Sequence, residues 1–351
     1  MGHEKPSLSL SVKKRVRMRD VATRCGLSIS TVSLVLSGDA RIPEDTTRKV
    51  LQAVKAMEYR PSILARSLAR RGSRTIGVIL PEFAFQKNQG YFYQALQGIH
   101  SETQPAGYKM LVEAASRGFL ERRYYLRLLK EQSADGIVYL AANSGDSFLS
   151  DMVRENYPFV LLGNTIEQTG LPAVIGEDAA GAALATQHLI SLGHTAIAHL
   201  AGTDETSSGL ARQKGYRDAM SKAGLVVQPH WIISGDFDIR TSEKMAVSLI
   251  ESKCTAVFAA NDTMAYGLIK GLAAQGVRVP DDMAVVGMED LELSSWINPP
   301  LTTVRLDITG MAAQATRTVL NALKNTGVPK NVDVQTFAPQ LIKRISCGSK
   351  S

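Results

Sequence analysis

Two short stretches with one apolar face each, separated by a glycine, lie within residues 18–36, MRDVATRCGLSISTVSLVL. Val21 and Ala22 give the first stretch its apolar face. Gly26 is expected to end this helix, because glycine alone takes a left-handed backbone conformation without steric cost. The pattern therefore predicts a helix that stops at a tight turn.

The second stretch predicts another helix. Ser28 is in position to accept a hydrogen bond from a free backbone amide of the first turn, and Val32 and Leu36 form one buried face. Residues 41–59 then predict a third helix, with Pro43 at its start. A short second helix with hydroxyl-rich residues at its beginning suits the major groove of DNA; an ordinary helical hairpin is the alternative interpretation.

From residue 75 onward the pattern changes to apolar runs rich in β-branched residues, such as TIGVIL (75–80), alternating with longer amphipathic stretches. Strands separated by helices predict βαβ units with parallel sheets and right-handed crossovers. The alternation runs through two sets, which predicts two lobes with a ligand cleft at the strand ends. The predicted fold class is therefore α/β, preceded by an all-α head.

Charge is distributed unevenly along the 351 residues. The chain has a net charge of +7, with 44% hydrophobic and 21% charged residues. Residues 1–74 carry a net charge of +10, and the remainder carries −3. A basic head on a mildly acidic body indicates a polyanionic partner for the head. A membrane surface is a poorer partner, since the head has no long apolar face to insert.

Cysteine usage and hydropathy indicate a cytoplasmic protein. Cys25, Cys254 and Cys347 are scattered and odd in number, which predicts neither disulfides nor a metal site. No run of about 20 apolar residues predicts a membrane span. Residues 1–15 are basic and without an apolar core, so a disordered tail is expected rather than a signal peptide.

Catalytic chemistry has no support in the sequence. His188, His194 and His199 lie close in the chain without a nucleophile or a paired carboxylate pattern. Neither a P-loop nor a G-x-G-x-x-G stretch is present. We therefore expect a protein that is not an enzyme and holds no cofactor or metal.

The head and the segment after it resemble the lactose/galactose-repressor (LacI/GalR) family of bacterial transcription regulators. That family has the pattern D-V-A-x-x-A-G-V-S-x-x-T-V-S, followed by a hinge, Y-x-P-[NS]-x-x-A-R-x-L. The matching positions are Asp20, Val21, Ala22, Gly26, Leu27, Ser28, Thr31, Val32, Ser33, Tyr59, Pro61, Ser62, Ala65, Arg66 and Leu68. The resemblance continues to about residue 347.

The resemblance implies which residues contact DNA. The implied base-facing and minor-groove residues are Ile29, Ser30, Thr31, Ser33, Leu34, Ala65, Arg66 and Leu68. Residues 61–70 match a hinge helix that orders on DNA, where the leucine wedges between base pairs; a plain linker is the alternative. The family usually has arginine at the position of Leu34, so weak selection or a preference for thymine is expected at the base it meets.

The resemblance also implies an effector between the lobes, a sugar or a sugar derivative. The implied contacts are Tyr91, Phe92, Ser208, Arg212, Phe237, Asn261 and Glu289. Arg212 lies in an R-x-x-G-[FYW] element and Asn261 in A-N-D-x-M-A, while Asp262 is expected to cap the following helix. Glu289 replaces the usual aspartate, which puts the usual sugar geometry in doubt. On spacing alone, the arginine could equally be a solvated residue and the aromatic side chains could be core.

The expected organisation is a disordered tail (1–15), a head (16–60), a hinge (61–74) and a body (75–347). Lobe one is expected at about 75–170 and 303–335, and lobe two at about 171–302 and 336–347, with three crossings. The final residues, QLIKRISCGSKS, contain no leucine heptad, so a homodimer on a pseudo-palindromic operator is expected rather than a tetramer. The expected function is an effector-controlled regulator, most often a repressor in this family. The alternative is a solute-binding protein of a transport system.

Overall fold

A computed structural model describes residues 16–37, 39–59, 72–140, 142–143, 146, 149–166, 171–324 and 334–348. The chain forms two compact units, Met1–Ser73 and Arg74–Ser351. We call them the head and the body. The predictions for the tail and for Ala65, Arg66 and Leu68 of the hinge lie outside the described residues.

The described part of the head contains three helices: α1 (Met18–Cys25), α2 (Ile29–Ser37) and α3 (Glu44–Ala56). They surround a small apolar core formed by Val21, Ala22, Cys25, Val32, Val35, Val50, Ala53 and Tyr59. The predicted partner of Val32 on the buried face was Leu36, which is only half-buried. Val35, three residues from Val32, takes that place because positions three apart also share a helix face.

Twelve strands lie in the residues of the body that the structure describes. They are β1 (Thr75–Pro81), β2 (Lys109–Ala115), β3 (Gly136–Tyr139), β4 (Phe159–Leu162), β5 (Ala173–Gly176), β6 (Ile197–Ala201), β7 (Ile232–Ser234), β8 (Ala256–Ala259), β9 (Ala284–Glu289), β10 (Thr302–Arg305), β11 (Gln335–Phe337) and β12 (Gln340–Ile342). The first sheet has the order β11-β5-β4-β3-β1-β2, and the second has the order β12-β10-β9-β8-β6-β7. All pairs are parallel except β10 with β12. The predicted α/β architecture is confirmed.

Helices cover the sheets. They are α4 (Gln89–Thr103), α5 (Arg117–Glu121), α6 (Tyr124–Lys130), α7 (Ser150–Arg154), α8 (Asp178–Ser191), α9 (Ser207–Lys222), α10 (Ile239–Glu251), α11 (Asp262–Ala274) and α12 (Ile308–Lys324). Helix α4 packs against α12, α8 against α9, and α10 against α11. The sequence predicts a single helix over 119–133, but Arg123 has a left-handed φ of 48° that separates α5 from α6.

The chain passes between the two sheets after β5, after β10, and between β11 and β12. The approximate lobe boundaries expected at residues 171, 303 and 336 each fall a few residues before the crossing in the structure. Strand β5 pairs with β4 and belongs to lobe one, β10 pairs with β9 in lobe two, and β11 pairs with β5 in lobe one. The sequence pattern misses this because the strands at the crossings are only three or four residues long.

Each sheet presents the carboxyl ends of its parallel strands to the gap between the lobes, which is where open α/β sheets bind ligands. Within the part of the chain that the structure describes, no helix is long and apolar enough to cross a membrane.

Candidate functional sites

The turn between α1 and α2 has the geometry that the sequence predicts. Gly26 takes the left-handed conformation with φ 62°, and it ends α1. The hydroxyl of Ser28 accepts a hydrogen bond from the Thr31 amide at 3.0 Å, which caps α2. Both predictions are confirmed. The result is a helix-turn-helix whose second helix begins at a fixed residue.

The outer face of α2 carries the residues expected to contact DNA. Ile29 is 52% exposed and Leu34 is 37% exposed, so both apolar side chains are accessible on this face. Ser30 is exposed as well, whereas Thr31 and Ser33 are half-buried. The Thr31 hydroxyl lies 2.9 Å from that of Ser28, so it takes part in the cap. A surface of this kind offers apolar contact and hydroxyl groups but no charge.

A second candidate site is a pocket between the lobes of the body, with a free volume of about 70 Å³. It is enclosed by residues that follow the strands of both sheets. These residues are Pro81, Phe83, Asn88, Tyr91, Phe92, Leu140, Ala142, Asn143, Gly163, Asn164, Thr206, Ser208, Arg212, Phe237 and Glu289. Lobe one contributes mainly apolar and aromatic walls, and lobe two contributes the two charged side chains.

Arg212, on α9, lies in the wall of this pocket and is only 4% exposed. Its Nε donates to Asp178 Oδ1 at 2.7 Å, and its Nη1 donates to the Ala260 carbonyl at 2.6 Å and lies 3.5 Å from Glu289 Oε1. Burial lowers the pKa of Arg212, but the two carboxylates outweigh it and the pKa is raised. The guanidinium also lies 5.7 Å from the centre of the Phe237 ring. Arg212 is therefore a fixed buried cation.

Glu289 ends β9 and is 2% exposed. Its backbone has a φ of 114°, and that of Asp290 has a φ of 54°. Non-glycine residues rarely adopt positive φ values. Residues that do so are concentrated at functional sites, where the surrounding structure holds the strained backbone. Burial raises the pKa of Glu289 to about 8, and the neighbouring Arg212 lowers it only in part. Among the described residues its Oε2 has no hydrogen-bond partner.

Hydrogen bonds join the lobes around the pocket. On one side, Lys87 pairs with Asp236 at 2.8 Å, and the Thr263 hydroxyl donates to Asn88 Oδ1 at 3.0 Å. On the other side, Asn164 accepts from the Ser208 amide at 3.0 Å. Ligand occupancy can therefore be coupled to the relative position of the two lobes.

Six of the seven predicted effector residues line this pocket: Tyr91, Phe92, Ser208, Arg212, Phe237 and Glu289. Asn261 does not. It is fully buried, and its side chain accepts a hydrogen bond from the Met264 amide at 2.8 Å, which makes it the cap of α11. The prediction that Asp262 is the cap is wrong.

Asp262 instead fixes the loop after β9. It accepts from the Leu291 amide at 2.8 Å, from the Ser294 hydroxyl at 2.7 Å and from the Thr303 hydroxyl. Burial raises its pKa to about 7. Asn261 therefore has the capping role expected of Asp262, and Asp262 has a structural role that the motif does not indicate.

The sequence does not single out several pocket residues, among them Phe83, Asn88, Asn143, Asn164 and Thr206. Each belongs to a connection that follows β1, β3, β4 or β6 at the carboxyl end. That position is the available signal, because ligands of open parallel sheets bind at those ends. That position narrows the search to the connections after the strands, but it does not single out these residues within them.

Both the head and the body match known protein families. Residues 17–62 match the family described as bacterial regulatory proteins, lacI family, and residues 186–347 match a periplasmic binding protein-like domain. The HTH-type transcriptional repressor PurR of Vibrio campbellii is 33% identical over 318 residues, covering 90% of this chain and 94% of that protein. PurR of Vibrio cholerae (strain M66-2) is 34% identical over 312 residues, covering 88% and 91%.

Two solved structures extend the comparison to the fold. The Lac repressor dimer bound to operator and the anti-inducer ONPF has a TM-score of 0.82 at 27% identity, covering 95% of this chain and 99% of that one. The complex of the transcriptional regulator CelR with cellobiose has a TM-score of 0.71 at 25% identity, covering 95% and 100%.

Proposed function

Because the chain belongs to the lacI family of bacterial regulatory proteins, we propose that it is a transcriptional repressor whose operator affinity is controlled by a small molecule. The observation that carries this proposal is one chain holding both a helix-turn-helix head and a two-lobed body with an unsatisfied buried carboxylate in its pocket. The head binds DNA, and the body binds the effector.

In the head, α2 lies in the major groove and reads bases with Ile29, Ser30 and Leu34, supported by Thr31 and Ser33. Their exposure and the fixed start of α2 support this assignment. The hinge residues Ala65, Arg66 and Leu68 contact the minor groove, an assignment that rests on the family resemblance. Because α2 offers no arginine to a guanine, DNA shape contributes a large share of the specificity.

In the body, the effector occupies the pocket between the lobes and is a sugar or a sugar derivative. Aromatic side chains together with amide, hydroxyl and charged groups form the lining that such a molecule requires. Arg212 and Glu289 supply the charged hydrogen bonds, and Tyr91, Phe92 and Phe237 supply the apolar walls. Ser208 adds a hydroxyl.

The active form is a homodimer. A groove on the body is bordered by Tyr93, Leu293 and Trp296, and Trp296 is 78% exposed. Large exposed apolar residues around one groove mark an interaction surface. A second copy is the occupant we favour, since the Lac repressor is a dimer in its operator complex. A twofold-symmetric dimer requires a pseudo-palindromic operator.

The test begins with selection of an operator from random DNA by the purified protein, followed by a thermal-shift screen of sugars, sugar derivatives and nucleobases. A ligand at about 100 times its dissociation constant stabilises the folded state by about 2.7 kcal/mol. We expect enrichment of a pseudo-palindromic sequence, and at least one stabilising compound that changes operator affinity. A protein that enriches no DNA sequence, yet is stabilised by a compound, would instead behave as a solute-binding protein.

A further inference from the structure

The connection between β1 and α4 covers one side of the pocket, and we call residues 82–88 the lid. Phe83 lines the pocket and meets the ring of Phe92 edge-to-face, with 6.2 Å between the ring centres. The amides of Gln86 and Lys87 both donate to the Phe83 carbonyl at 2.8 Å, which makes the lid a compact turn. The lid can therefore move as one piece.

Little apolar burial holds the lid in place. Ala84 is buried, but Phe83 is 41% exposed and Phe85 is 58% exposed. Segments with few buried apolar contacts open at a low cost in free energy. Displacement of the lid should therefore cost less than displacement of a packed helix or strand of the body.

The topology places the lid at the edge of the body where the two lobes can part. The strands from which the chain crosses, β5, β10 and β11, lie at or beside one edge of each sheet. The lid follows β1, and the loop 235–238 follows β7, and these two strands lie at or beside the opposite edge. The two connections therefore meet on the side of the pocket away from the crossings.

An ion pair joins the lid to the loop 235–238 of lobe two. Lys87 Nζ lies 2.8 Å from Asp236 Oδ2. Asp236 and Phe237 have left-handed φ values of 52° and 50°, and the Phe237 ring packs on Gly202, where any side chain would collide with it. Strained backbone persists only where the surrounding structure holds it, and the ion pair and the ring packing are two such contacts.

The pocket is too small for a ring-shaped effector while the lid has this position. Its free volume is about 70 Å³, whereas an apolar cavity of roughly 150 Å³ accommodates one benzene molecule. A sugar ring with its hydroxyl groups is larger than benzene. At least one wall of the pocket must therefore move before such an effector enters.

We infer that the lid is a gate, which admits the effector when it moves away from lobe two and which the Lys87–Asp236 ion pair keeps closed. The inference rests on the proposed function in taking the pocket as the effector site. Lys87 does not line the pocket, so it acts on the exchange of the effector and makes no contact with it. The pair is partly exposed, so it stabilises the closed lid weakly and salt screens it.

The first experiment measures access to the pocket without a known effector. Ala142 lines the pocket and is 1% exposed, so Ala142→Cys in the full-length protein places a thiol behind the lid. Its reaction with iodoacetamide is followed by mass spectrometry. Because a buried thiol reacts only when the pocket opens, the rate reports how often the lid is open. The three native cysteines are buried, and their reaction would reveal unfolding.

Lys87→Met and Asp236→Asn should each raise this rate about two- to fivefold, as loss of a weak ion pair implies. Asparagine tolerates the left-handed backbone, so the second substitution removes the charge alone. The double variant should react no faster than either single variant, because both substitutions break the same pair. Unchanged rates in the single variants, or rates that multiply in the double variant, would overturn the inference.

Salt provides a further check on the same thiol. Raising the salt concentration from about 0.02 M to about 0.5 M should speed the reaction of Ala142→Cys, and it should have no such effect once Lys87→Met is added. Ser221→Cys, at the exposed end of α9, gives the intrinsic rate at each salt concentration. Equal salt dependence with and without Lys87 would contradict the role of the ion pair.

Ser207→Ala distinguishes movement of the lid from separation of the lobes. The Ser207 hydroxyl accepts from the Thr165 amide at 2.9 Å and donates to Asn164 Oδ1 at 3.3 Å, so it joins the lobes away from the lid. Its loss should leave the reaction rate unaltered. If Ser207→Ala raises the rate as much as Lys87→Met, the reagent enters by separation of the lobes and the lid is not the gate.

Amide hydrogen exchange gives a second measurement that needs no added cysteine. Asp236→Asn leaves the sequence of the lid intact, so the intrinsic exchange rates of its amides do not change. The amides of Gln86 and Lys87 should exchange faster in this variant, while those of α4 keep their rates. Unaltered exchange in the lid would refute the inference.

Operator binding by the same variants separates this inference from the proposed function. Gln86 and Lys87 also border the groove next to Trp296, so sedimentation first establishes that the variants have equal association states. A protein that binds its operator, but whose lid variants leave thiol access unchanged, retains the repressor function and loses the gate. A protein that binds no operator loses the proposed function, whatever the thiol rates show.

Discussion

The head and the body place their chemically active residues in opposite ways. The head exposes apolar and hydroxyl side chains on α2, and its described core contains no charged residue. The body buries its charges, with Arg212, Asp178, Glu289 and Asp262 each less than one-tenth exposed. DNA is a large polyanion that binds to an exposed surface, so its contacts must be exposed. A small effector binds inside a pocket, so its contacts are buried.

This difference in burial determines which properties a substitution changes in each region. A charge removed from water interacts strongly with its neighbours, so loss of one member of a buried group leaves the others unpaired. A residue on the exposed face of α2 has no such neighbours. We therefore expect substitutions in the pocket to alter stability and effector response together, and substitutions on α2 to alter DNA recognition alone.

The largest effect is expected for Arg212→Met. Asp178 and Glu289 would remain buried without their cation, and removing one partner from such a group costs about 3–5 kcal/mol. The unfolding free energy, measured by urea denaturation, should fall by that amount. The effector response should disappear, while operator binding persists at temperatures where the variant is folded.

The control is the triple substitution Arg212→Met, Asp178→Asn and Glu289→Gln. It removes all three charges, so no carboxylate is left unpaired, and most of the lost stability should return. If the triple variant is less stable than Arg212→Met alone, the ion pairs do not account for the loss.

The second effect concerns pH. The pKa of Glu289 is raised from 4.5 to about 8 in the folded protein by burial, with Arg212 opposing and Asp262 adding to the shift. Tyr91 and Tyr266 also face this group. An acid with a raised folded-state pKa contributes stability that is fully present below about pH 4.5 and is lost as the pH rises through about 8.

Glu289→Gln should abolish this contribution. Between about pH 5 and pH 8, the wild-type protein should lose up to about 1.4 kcal/mol per pH unit more than the variant, from this one group. Asp262 titrates in both proteins, so the part of its contribution that does not depend on the charge of Glu289 cancels in the difference. Parallel pH profiles for the two proteins would show that Glu289 stays ionised throughout.

The head and the body also differ in how much of each can be predicted from the sequence. The head is predictable because its determinants are local: Gly26 ends a helix and Ser28 begins the next within three residues. In the body, Arg212 and Glu289 can be identified from short motifs, but their pairing joins positions far apart in the chain. Asn88 carries no local pattern, because its role depends on Thr263 and Glu289, which the fold brings to it.

The capping of α11 by Asn261 rather than by Asp262 has a similar cause. Either side chain can cap a helix, and local sequence does not distinguish them. The choice is made by Leu291, Ser294 and Thr303, which supply donors to Asp262 from distant segments. Tertiary hydrogen bonds therefore decide what the motif leaves open.

The third effect tests the exposed face of α2. Leu34→Arg should introduce a preference for guanine at one position of each half-site, worth about 1–3 kcal/mol for a bidentate contact. The free energy of unfolding should change little, because Leu34 is exposed and lies outside the apolar core of the head. Selection from a randomised operator measures the preference for both proteins.

Leu51→Arg is the matched control, since Leu51 is an exposed leucine of α3 in the same head. It adds the same charge and should raise affinity for all DNA without a new base preference. If Leu34→Arg behaves in the same way, or the wild-type protein already demands guanine at that base, Leu34 does not read the operator.

The smallest effect is expected for Ser28→Ala. This substitution distinguishes a residue that stabilises α2 from the neighbouring residues that contact DNA on the same exposed surface. Ser28 is exposed like Ile29, but its hydroxyl caps α2 by accepting from the Thr31 amide. Loss of such a cap costs about 1 kcal/mol. Amide hydrogen exchange across α2 should become faster, and operator affinity should fall without a change in base preference.

Thr23→Ala, which removes an exposed hydroxyl bonded only to the Arg19 carbonyl, should do neither. A change in base preference with Ser28→Ala would mean that the cap residue itself contacts DNA, and the division between exposed recognition and buried structure would fail at that position.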